Sequence, residues 1–414
     1  MRNLGRLAIV IFLGASCVAQ MQVQSTFFGM HVNKITTFPL HAPVGSIRLW
    51  DTHTGWAHMC PTGPNCNWKH LDDWLAAAKR NGISDVVYTP GKTPRWISSK
   101  PEADCECFPP RDLTPDGGGS DNAWKGFIKD LVEHNQRLDS SHSKIKYWGI
   151  WNEPSAGNFW KGTIPQLVRM AKDEYSIIKA ADPNALMLSP ELDAWGRLHD
   201  DWFDNYISAG GGPYVDVVAF HAYATARDQE HPVAEDVLKS VAHVKEKVAR
   251  HRELAGKPLW NSEGSWGKTD EANWRDWEQA QAFVVRFYVL QASVGVERAY
   301  WYMYDPNNTR GCCGAMVSTD RSELPTAAAF REMHKWLLGR TVSCSSQGHV
   351  WTCNLEQPGY KGKIVWNDEF EKTTSYDAAG FGNYRDVSGA STPLDQKSHT
   401  VTIGNKPVLL ESGK

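Results

Sequence analysis

The sequence carries no excess of positive charge and no long apolar run beyond its first residues. The formal net charge is −3 over 414 residues. This disfavours both the basic surface of a nucleic-acid-binding protein and a polybasic patch for anionic membranes. No later segment reaches the roughly 18 apolar residues that a membrane-spanning helix needs. With 41% hydrophobic and 22% charged residues, the composition is that of a globular protein and not of a disordered chain.

Two further patterns are missing. No glycine-rich phosphate-binding loop follows the first predicted strand (Phe27 to Val32). An open doubly wound sheet usually needs such a loop, so that architecture is the less favoured of two alternatives. No set of four cysteine and histidine residues has the spacing of a zinc site. The sequence therefore calls for no metal and no organic cofactor.

The first 19 residues have the pattern of a secretory signal peptide. Arg2 and Arg6 supply a positive n-region, and residues 7–13 form a short apolar core. Cys17-Val18-Ala19 fits a small-x-small cleavage site, which predicts Gln20 as the new terminus. A lipid attachment through Cys17 is the alternative. The predicted location is secreted or periplasmic.

Cleavage would leave an even number of cysteines, which in an exported chain favours disulfides. Cys60 and Cys66 delimit a short loop, and Cys344 and Cys353 flank a predicted hairpin turn. Two further pairs are close enough in sequence for a local bridge, namely Cys105 with Cys107 and Cys312 with Cys313.

Strand-like apolar runs alternate with amphipathic helical stretches from about residue 26 to 340. The predicted strands are Phe27 to Val32, Ser46 to Asp51, Asp85 to Thr89, Ile145 to Asn152, Ala185 to Ser189, Val215 to His221, Pro258 to Ser262 and Arg298 to Met303. Each strand from the second onward is followed by a predicted helix; these helices are Trp68 to Asn81, Trp124 to Leu138, Ile164 to Ala181, Asp200 to Ser208, Ala234 to Leu254, Glu278 to Ser293 and Thr326 to Leu338. Eight βα units in series predict an α/β fold, a (β/α)8 TIM barrel over residues 20–340.

The pattern changes after Gly339. Six short alternating runs, separated by turn residues, occur in residues 341–414: Thr341 to Cys344, His349 to Leu355, Lys363 to Trp366, Thr373 to Asp377, His399 to Ile403 and Pro407 to Leu410. This is typical of antiparallel strands, and it predicts a small C-terminal antiparallel β-sandwich packed on the barrel. The longest irregular segment, Gly91 to Asp121, follows the third strand and should therefore lie on the rim where barrel active sites are found.

Tryptophan is unusually frequent, with 19 residues beside 13 tyrosines and 14 phenylalanines. Two interpretations are open. Large aromatic side chains bury much apolar area and can fill a core. Flat aromatic faces also stack on sugar rings, so part of the set could line a carbohydrate-binding groove; Trp96 and Trp195 on rim loops are candidates for outer subsites.

Two segments carry the chemistry. Trp151-Asn152-Glu153-Pro154 ends the fourth strand, and Trp260-Asn261-Ser262-Glu263-Gly264 ends the seventh. The carboxyl ends of barrel strands line the active site, so both glutamates are expected at one barrel mouth. Two facing carboxyl groups are the minimum apparatus for cleaving a glycosidic bond.

These segments resemble the retaining glycoside hydrolases of clan A, and most of all family 39, the β-xylosidase and iduronidase group. The resemblance implies that Glu153 is the general acid/base and Glu263 the nucleophile. Retention requires the two carboxyl groups to lie roughly 5–5.5 Å apart. A negative neighbour should raise the pKa of Glu153, whereas hydrogen-bond donors should keep Glu263 ionised.

The resemblance also implies substrate-binding roles for five residues at strand ends: Asn152 on the sugar 2-hydroxyl, Arg48 beside the nucleophile, His221 and Tyr223 on nucleophile and sugar, and Trp301 beneath the sugar ring. Three of them have a structural alternative. Arg48 could pair with Asp51, His221 could be a satisfied rim histidine, and Trp301 could be a core residue. His31 and Glu191 also end predicted strands and are further candidates for binding sugar hydroxyls.

The predicted function is a secreted retaining glycoside hydrolase that acts on an oligo- or polysaccharide through a glycosyl-enzyme intermediate. A catalytically silent carbohydrate-binding protein and a transglycosylase on the same scaffold are the alternatives. The expected partner is a carbohydrate, and not nucleic acid or a membrane. The sequence does not predict which sugar is bound or the oligomeric state.

Overall fold

A computed structural model describes residues 21–193, 200–224, 232–266, 276–306, 314–395 and 397–412. Its largest sheet has nine parallel strands. Most of these strands are buried along their whole length, which is typical of a parallel sheet covered on both faces. The strands are β1 Phe28–Met30, β2 Ser46–Leu49, β3 Asp85–Tyr88, β4 Ile145–Gly149, β5 Leu186–Leu188, β6 Leu192–Asp193, β7 Val218–His221, β8 Leu259–Gly264 and β9 Arg298–Trp301.

The strand order is β5-β4-β3-β2-β1-β9-β8-β7-β6. The ends of this row meet, because Leu188 forms a parallel bridge with Val217 and Ser189 N donates to Val217 O. β5 and β6 are therefore one barrel strand interrupted at residues 189–191. Eight parallel strands in a closed ring confirm the predicted TIM barrel, and the pairing of β1 with β9 excludes an open doubly wound sheet.

Helices cover the outside of the barrel. Most of them bury one face, as the predicted periodicity requires, whereas the helix over residues 277–293 is buried on all sides from residue 282 to 291. Among the described residues, no helix is both long and apolar enough to cross a bilayer. The helices are α1 Trp56–Met59, α2 Lys69–Arg80, α3 Asn122–Arg137, α4 Ile164–Ala181, α5 Asp200–Tyr206, α6 Asp236–Ala249, α7 Trp277–Ser293 and α8 Pro325–Leu337.

The barrel interior is filled by alternate residues of the strands. Val87, Trp260 and Tyr300 pack together there, in a cluster separate from the core between sheet and helices. At the amino-terminal end of the strands, Arg298 Nη2 lies 2.8 Å from Asp85 Oδ2. The Arg298 guanidinium stacks over Trp260 at 4.1 Å from the ring centroid. This end of the barrel is therefore closed by side chains, which leaves the opposite rim for a site.

Residues after α8 form the antiparallel domain that the sequence predicts. Its strands are β10 Thr341–Gln347, β11 Val350–Gln357, β12 Tyr360–Asn367, β13 Thr374–Asp377, β14 Asn383–Arg385, β15 Ser391–Pro393, β16 Thr400–Ile403 and β17 Val408–Glu411. Six of them form one sheet in the order β10-β11-β12-β17-β14-β15, and β13 pairs with β16 in a second. A shared apolar cluster joins the two sheets. The short strands β14 and β15 are the ones the apolar pattern missed.

The β-domain is attached to the barrel by buried polar contacts. Trp366 Nε1 donates to Glu235 Oε1 at 2.8 Å, and Gln279 Nε2 donates to Asn405 Oδ1 at 3.0 Å. These residues come from α7, β12 and the segments next to α6 and β17. The two parts of the described chain therefore pack directly on each other.

Three disulfides agree with the predicted local pairs: Cys60–Cys66, Cys105–Cys107 and Cys344–Cys353. The pair Cys312 and Cys313, Trp195 and the predicted signal peptide lie outside the described residues. Most described tryptophans are buried, so the core accounts for most of the tryptophan excess. Trp96 is partly exposed and donates its Nε1 hydrogen to Cys60 O.

One buried acid lies between α4 and the barrel without a described partner. Glu174 has 0% exposure, and among the described residues neither of its carboxyl oxygens has a hydrogen-bond partner. Burial raises the pKa of Glu174 well above its usual value, and the nearby Asp121 carboxyl adds to the rise. The folded protein therefore keeps this carboxyl group protonated over a pH range in which the unfolded chain releases the proton.

The substitution Glu174→Gln should make thermal stability less sensitive to pH. The stabilising contribution of the wild-type carboxyl group is complete below the unfolded pKa of 4.5 and is lost as the pH rises toward the folded value. The loss amounts to about 1.4 kcal/mol for each pH unit in that interval. When Tm is measured from pH 4.5 to 8, the difference between the Tm of the variant and that of wild type should therefore increase with pH. The exposed Glu356→Gln serves as control, and parallel curves for Glu174→Gln and wild type would contradict the assignment.

Candidate active site

Arg48 connects the carboxyl ends of four barrel strands. It lies one residue before the end of β2 and has 0% exposure. Its Nη1 donates to Glu263 Oε2 at 2.9 Å, while Nη2 donates to Asn152 Oδ1 at 2.8 Å and to Glu191 Oε1 at 2.6 Å. The rigid fork of a guanidinium can bond several fixed acceptors at once. A strand-end arginine thereby holds three other strand ends in one arrangement.

Glu153 and Glu263 face each other beside this arginine. One carboxylate oxygen of Glu153, one of Glu263 and one ring nitrogen of His221 all lie within 4.8 Å of one another. Such a separation suits a retaining glycosidase and leaves too little room for the inverting geometry of about 6.5–9.5 Å. The Glu153 side chain is 31% exposed and that of Glu263 10%, so Glu153 is the more accessible of the two.

The backbone at Glu153 is shaped for this position. Its φ is +40°, in the left-handed region that side chains other than glycine rarely adopt. The Glu153 N–H donates to Glu191 Oε2 at 3.0 Å, and a single helical turn, Pro154–Ala156, follows. Strained residues persist where their surroundings hold them, and they concentrate at functional sites.

β8 is irregular where it presents Glu263. The pairing register of β8 with β7 shifts between Phe220 and His221, and its register with β9 shifts between Asn261 and Gly264. Such irregularities redirect side chains near active sites. A Cβ on Gly264 would lie 2.2 Å from Ala222 O, so only glycine permits this approach of β8 to the end of β7.

The end of β7 contributes two more side chains. Tyr223 Oη donates to Glu263 Oε1 at 2.5 Å. His221 Nδ1 lies 2.7 Å from Glu153 Oε1 and 4.0 Å from Glu263 Oε1. The predicted contact of Tyr223 with the nucleophile position is therefore present, whereas the hydrogen bond of His221 goes to the other glutamate.

Burial raises the pKa of Glu263 to about 7. The charges of Glu153 and Asp51 add to this rise, while His221 and Arg48 oppose it. The expectation that hydrogen-bond donors keep Glu263 ionised is thus only partly met, because desolvation outweighs them. Two carboxyl groups this close titrate as a coupled pair. Near neutral pH the pair can hold a single proton, as acid and nucleophile roles require.

Two residues that were expected to bind sugar hydroxyls are used inside the protein. His31 has 0% exposure; its Nε2 lies 2.9 Å from Ser262 O and 3.8 Å from Glu263 Oε2. Glu191 is 2% exposed, and its two oxygens accept from Arg48 and from the Glu153 N–H. The structure therefore corrects both predictions, since these side chains position the site without reaching its surface.

Trp301 is also corrected. It has 0% exposure, its Nε1 donates to Gly314 O at 2.7 Å, and its indole packs against Phe283 and Phe287 of α7. Side chains alternate along a strand: Tyr300 points into the barrel, so Trp301 points out to the helices. The core alternative holds for Trp301, and Tyr302 takes the inward position.

Tyr302 and Asp51 are site residues that the sequence reasoning missed. Tyr302 Oη donates to Asp51 Oδ2 at 2.7 Å, and its ring packs edge-on against His31 with centroids 5.0 Å apart. Counting the alternation from the end of the last strand would have identified Tyr302. Asp51 was noted only as a possible partner of Arg48, and no local pattern marks it as part of the site.

Asn152 retains a free hydrogen-bonding group at the site. It is 2% exposed and uses its carbonyl oxygen to accept from Arg48. Its amide hydrogens have no hydrogen-bond acceptor among the described residues.

The trio Glu153, His221 and Glu263 is also compact enough to hold a metal ion, although His221 and Glu153 already bond each other.

The substitution Arg48→Met should raise the pKa of Glu263 well above 7, because Arg48 is a positive charge that opposes the rise. It should also lower the free energy of unfolding by about 3–5 kcal/mol, since it leaves two buried carboxylates unpaired. The titration can be followed by NMR of glutamate carboxyl carbons, with Glu263 assigned by comparison with Glu263→Gln. Arg48→Lys, which keeps the charge, should shift the pKa less. An unchanged titration in Arg48→Met would refute this electrostatic role.

Comparison with known proteins identifies a family and a shared fold. The model of glycosyl hydrolases family 39 matches residues 67–312, which is more than half of the chain. A family 39 glycoside hydrolase from the gut symbiont Bacteroides cellulosilyticus WH2 superposes with a TM-score of 0.70 at 17% identity, covering 95% of this chain and 82% of that one.

Two other solved structures share the fold. A GH39 β-xylosidase from Caulobacter crescentus superposes with a TM-score of 0.66 at 14% identity, and the alignment covers 95% of this chain and 98% of that one. A glucosidase from Croceicoccus marinus has a TM-score of 0.61 at 14% identity, with 95% and 96% covered. No curated protein matches the sequence.

Proposed function

Because this chain belongs to glycosyl hydrolase family 39, we propose that it hydrolyses O-glycosidic bonds with retention of configuration. The observation that carries the proposal is the approach of the Glu153 and Glu263 carboxylates to within 4.8 Å. That spacing leaves room for a sugar carbon to be attacked directly by one carboxylate, and none for a water between them.

In the first step Glu263 attacks the anomeric carbon. Arg48 and Tyr223 each donate a hydrogen bond to Glu263. These bonds favour the ionised form that the attack requires, against the effect of burial. The proton then belongs to Glu153, which gives it to the departing glycosidic oxygen. The C1–O bond breaks, and an ester between C1 and Glu263 forms.

In the second step Glu153, now ionised, takes a proton from water. The hydroxide equivalent attacks C1, the ester bond to Glu263 breaks, and the sugar leaves with its original configuration. His221 lies 2.7 Å from Glu153 and is nearly buried. It therefore orients the carboxyl group that changes from acid to base. The Asn152 amide can hydrogen-bond the sugar 2-hydroxyl beside the nucleophile.

A neutral β-glycoside is the first substrate to test. The relative from Caulobacter crescentus is a β-xylosidase and the one from Croceicoccus marinus a glucosidase, which supports aryl β-xylosides and β-glucosides as probes. Export is part of the proposal. The signal-peptide pattern of residues 1–19 and the three disulfides support it.

The substitution Glu263→Ala should lower kcat by several orders of magnitude, because no covalent intermediate can form. Added azide should restore turnover by entering the space of the carboxylate, and the glycosyl azide should have the inverted configuration. NMR of the product determines the configuration. Hydrolysis at the wild-type rate by this variant would remove Glu263 from the mechanism.

The substitution Glu153→Ala should lower kcat/KM by about 10²–10⁴-fold for glycosides with poor leaving groups. An activated leaving group, such as dinitrophenolate, needs less protonation and should lose less. Azide should here give a glycosyl azide of retained configuration, because it attacks the intermediate on Glu263. Glu297→Ala, near the amino-terminal end of β9, is the matched control and should keep wild-type kinetics. Equal losses for good and poor leaving groups would argue against the acid role.

A further inference from the structure

Asp51 and Tyr302 form a hydrogen-bonded pair at the site that the two-step reaction does not use. Tyr302 Oη lies 2.7 Å from Asp51 Oδ2. Asp51 follows β2 and Tyr302 follows β9, and these strands lie on either side of β1. The pair therefore bridges the rim across the end of β1, on the side away from β4 and its Glu153.

The pair lies beside the nucleophile. Tyr302 packs against His31, which is 3.8 Å from Glu263 Oε2. The negative charge of Asp51 contributes to the raised pKa of Glu263 and also raises that of Arg48. A sugar bound with its anomeric carbon at Glu263 and its leaving group at Glu153 would extend its remaining hydroxyls toward Asp51.

Asp51 still has hydrogen-bonding capacity. Its Oδ2 accepts from Tyr302, whereas Oδ1 accepts a hydrogen bond from none of the residues that the structure describes. The residue is partly exposed. A carboxyl oxygen can accept hydrogen bonds, so the group that fits Oδ1 is a hydroxyl donor. A carboxylate on the sugar would instead meet a like charge, and like-charge contacts are an effective means of rejecting a ligand.

We propose that Asp51, held in place by Tyr302, binds a hydroxyl group of the sugar next to the cleaved bond and makes the enzyme select neutral glycosides over uronides. This inference rests on the proposed hydrolase function. Tyr302 acts through Asp51 and is a positioning residue.

The surrounding charges favour the same selection. Glu153, Glu191 and Glu263 add three carboxyl groups to that of Asp51, and Arg48 already bonds two of the four. Lys92 is a competing cation. Its amine lies 5.0 Å from the centroid of the ring of Trp50, which precedes Asp51 in the sequence. If Lys92 bound a sugar carboxylate, the enzyme would prefer uronides, which the experiment below detects.

The test compares an aryl β-glucoside with the matching β-glucuronide, which differ only at C6, and includes the β-xyloside. Wild type should have the higher kcat/KM on the neutral sugars. Asp51→Asn should lower kcat/KM on them by roughly 10- to 100-fold, the value of a hydrogen bond to a charged group, and should bring the glucoside-to-glucuronide ratio closer to one. If the substituent at C6 prevents turnover of both the glucoside and the glucuronide, glucose and glucuronate are instead tested as inhibitors of β-xyloside hydrolysis. The ratio of their inhibition constants then replaces the glucoside-to-glucuronide ratio.

Tyr302→Phe should lower the same ratio by a smaller factor. In Asp51→Asn the acid limb of the kcat/KM profile should also move to lower pH, because the lost charge raised the pKa of Glu263. Asp139→Asn, at the opposite end of the barrel, should change neither quantity. Circular dichroism establishes that each variant is folded.

The outcomes separate the two proposals. If wild type hydrolyses no glycoside in the panel, the proposed function is overturned. If wild type hydrolyses neutral glycosides but Asp51→Asn leaves the ratio and the pH profile unchanged, only the role of Asp51 is overturned. A wild-type preference for the glucuronide also overturns it, in favour of Lys92.

Discussion

The buried guanidinium of Arg48 is the interaction on which the site depends. It is removed from water, so its charge must be balanced by acceptors inside the protein. Glu263, Glu191 and Asn152 supply those acceptors from three other strand ends. Since Glu191 in turn accepts from the Glu153 backbone, both proposed catalytic carboxyl groups are located relative to a single side chain.

The same desolvation creates the chemistry. In water Glu263 would be ionised at neutral pH, but its burial raises the pKa to about 7 and Arg48 limits the rise. A pair of carboxyl groups that shares one proton is suited to a reaction needing one acid and one base. Hydrogen bonds from Arg48 and Tyr223 favour the ionised form of Glu263. Burial and donors therefore act in opposite directions on one group, and the balance between them sets the pKa of Glu263.

The predictable part of the fold was the part governed by hydrophobic periodicity. The bounds of α4 agree with the sequence-based prediction to the residue, because its apolar face is regular and Thr163 forms a capping box at its start. The eight parallel strands were predicted for the same reason. β14 and β15 were missed since each has only three residues, too few for alternation to be recognised. Local pattern could not show that His31 and Glu191 are enclosed, because enclosure depends on neighbouring strand ends.

The sequence alone determined the barrel, the two glutamates and the family resemblance, since strand period, loop position and the Asn152-Glu153-Pro154 motif are all local. Only the tertiary structure decided which strand-end side chains reach the site. One residue of offset along β9 sends Trp301 into the helix layer and Tyr302 inward. The partnership of Asp51 with Tyr302 spans 251 positions. Such contacts arise from the closure of the sheet into a ring, which brings the last strand beside the first.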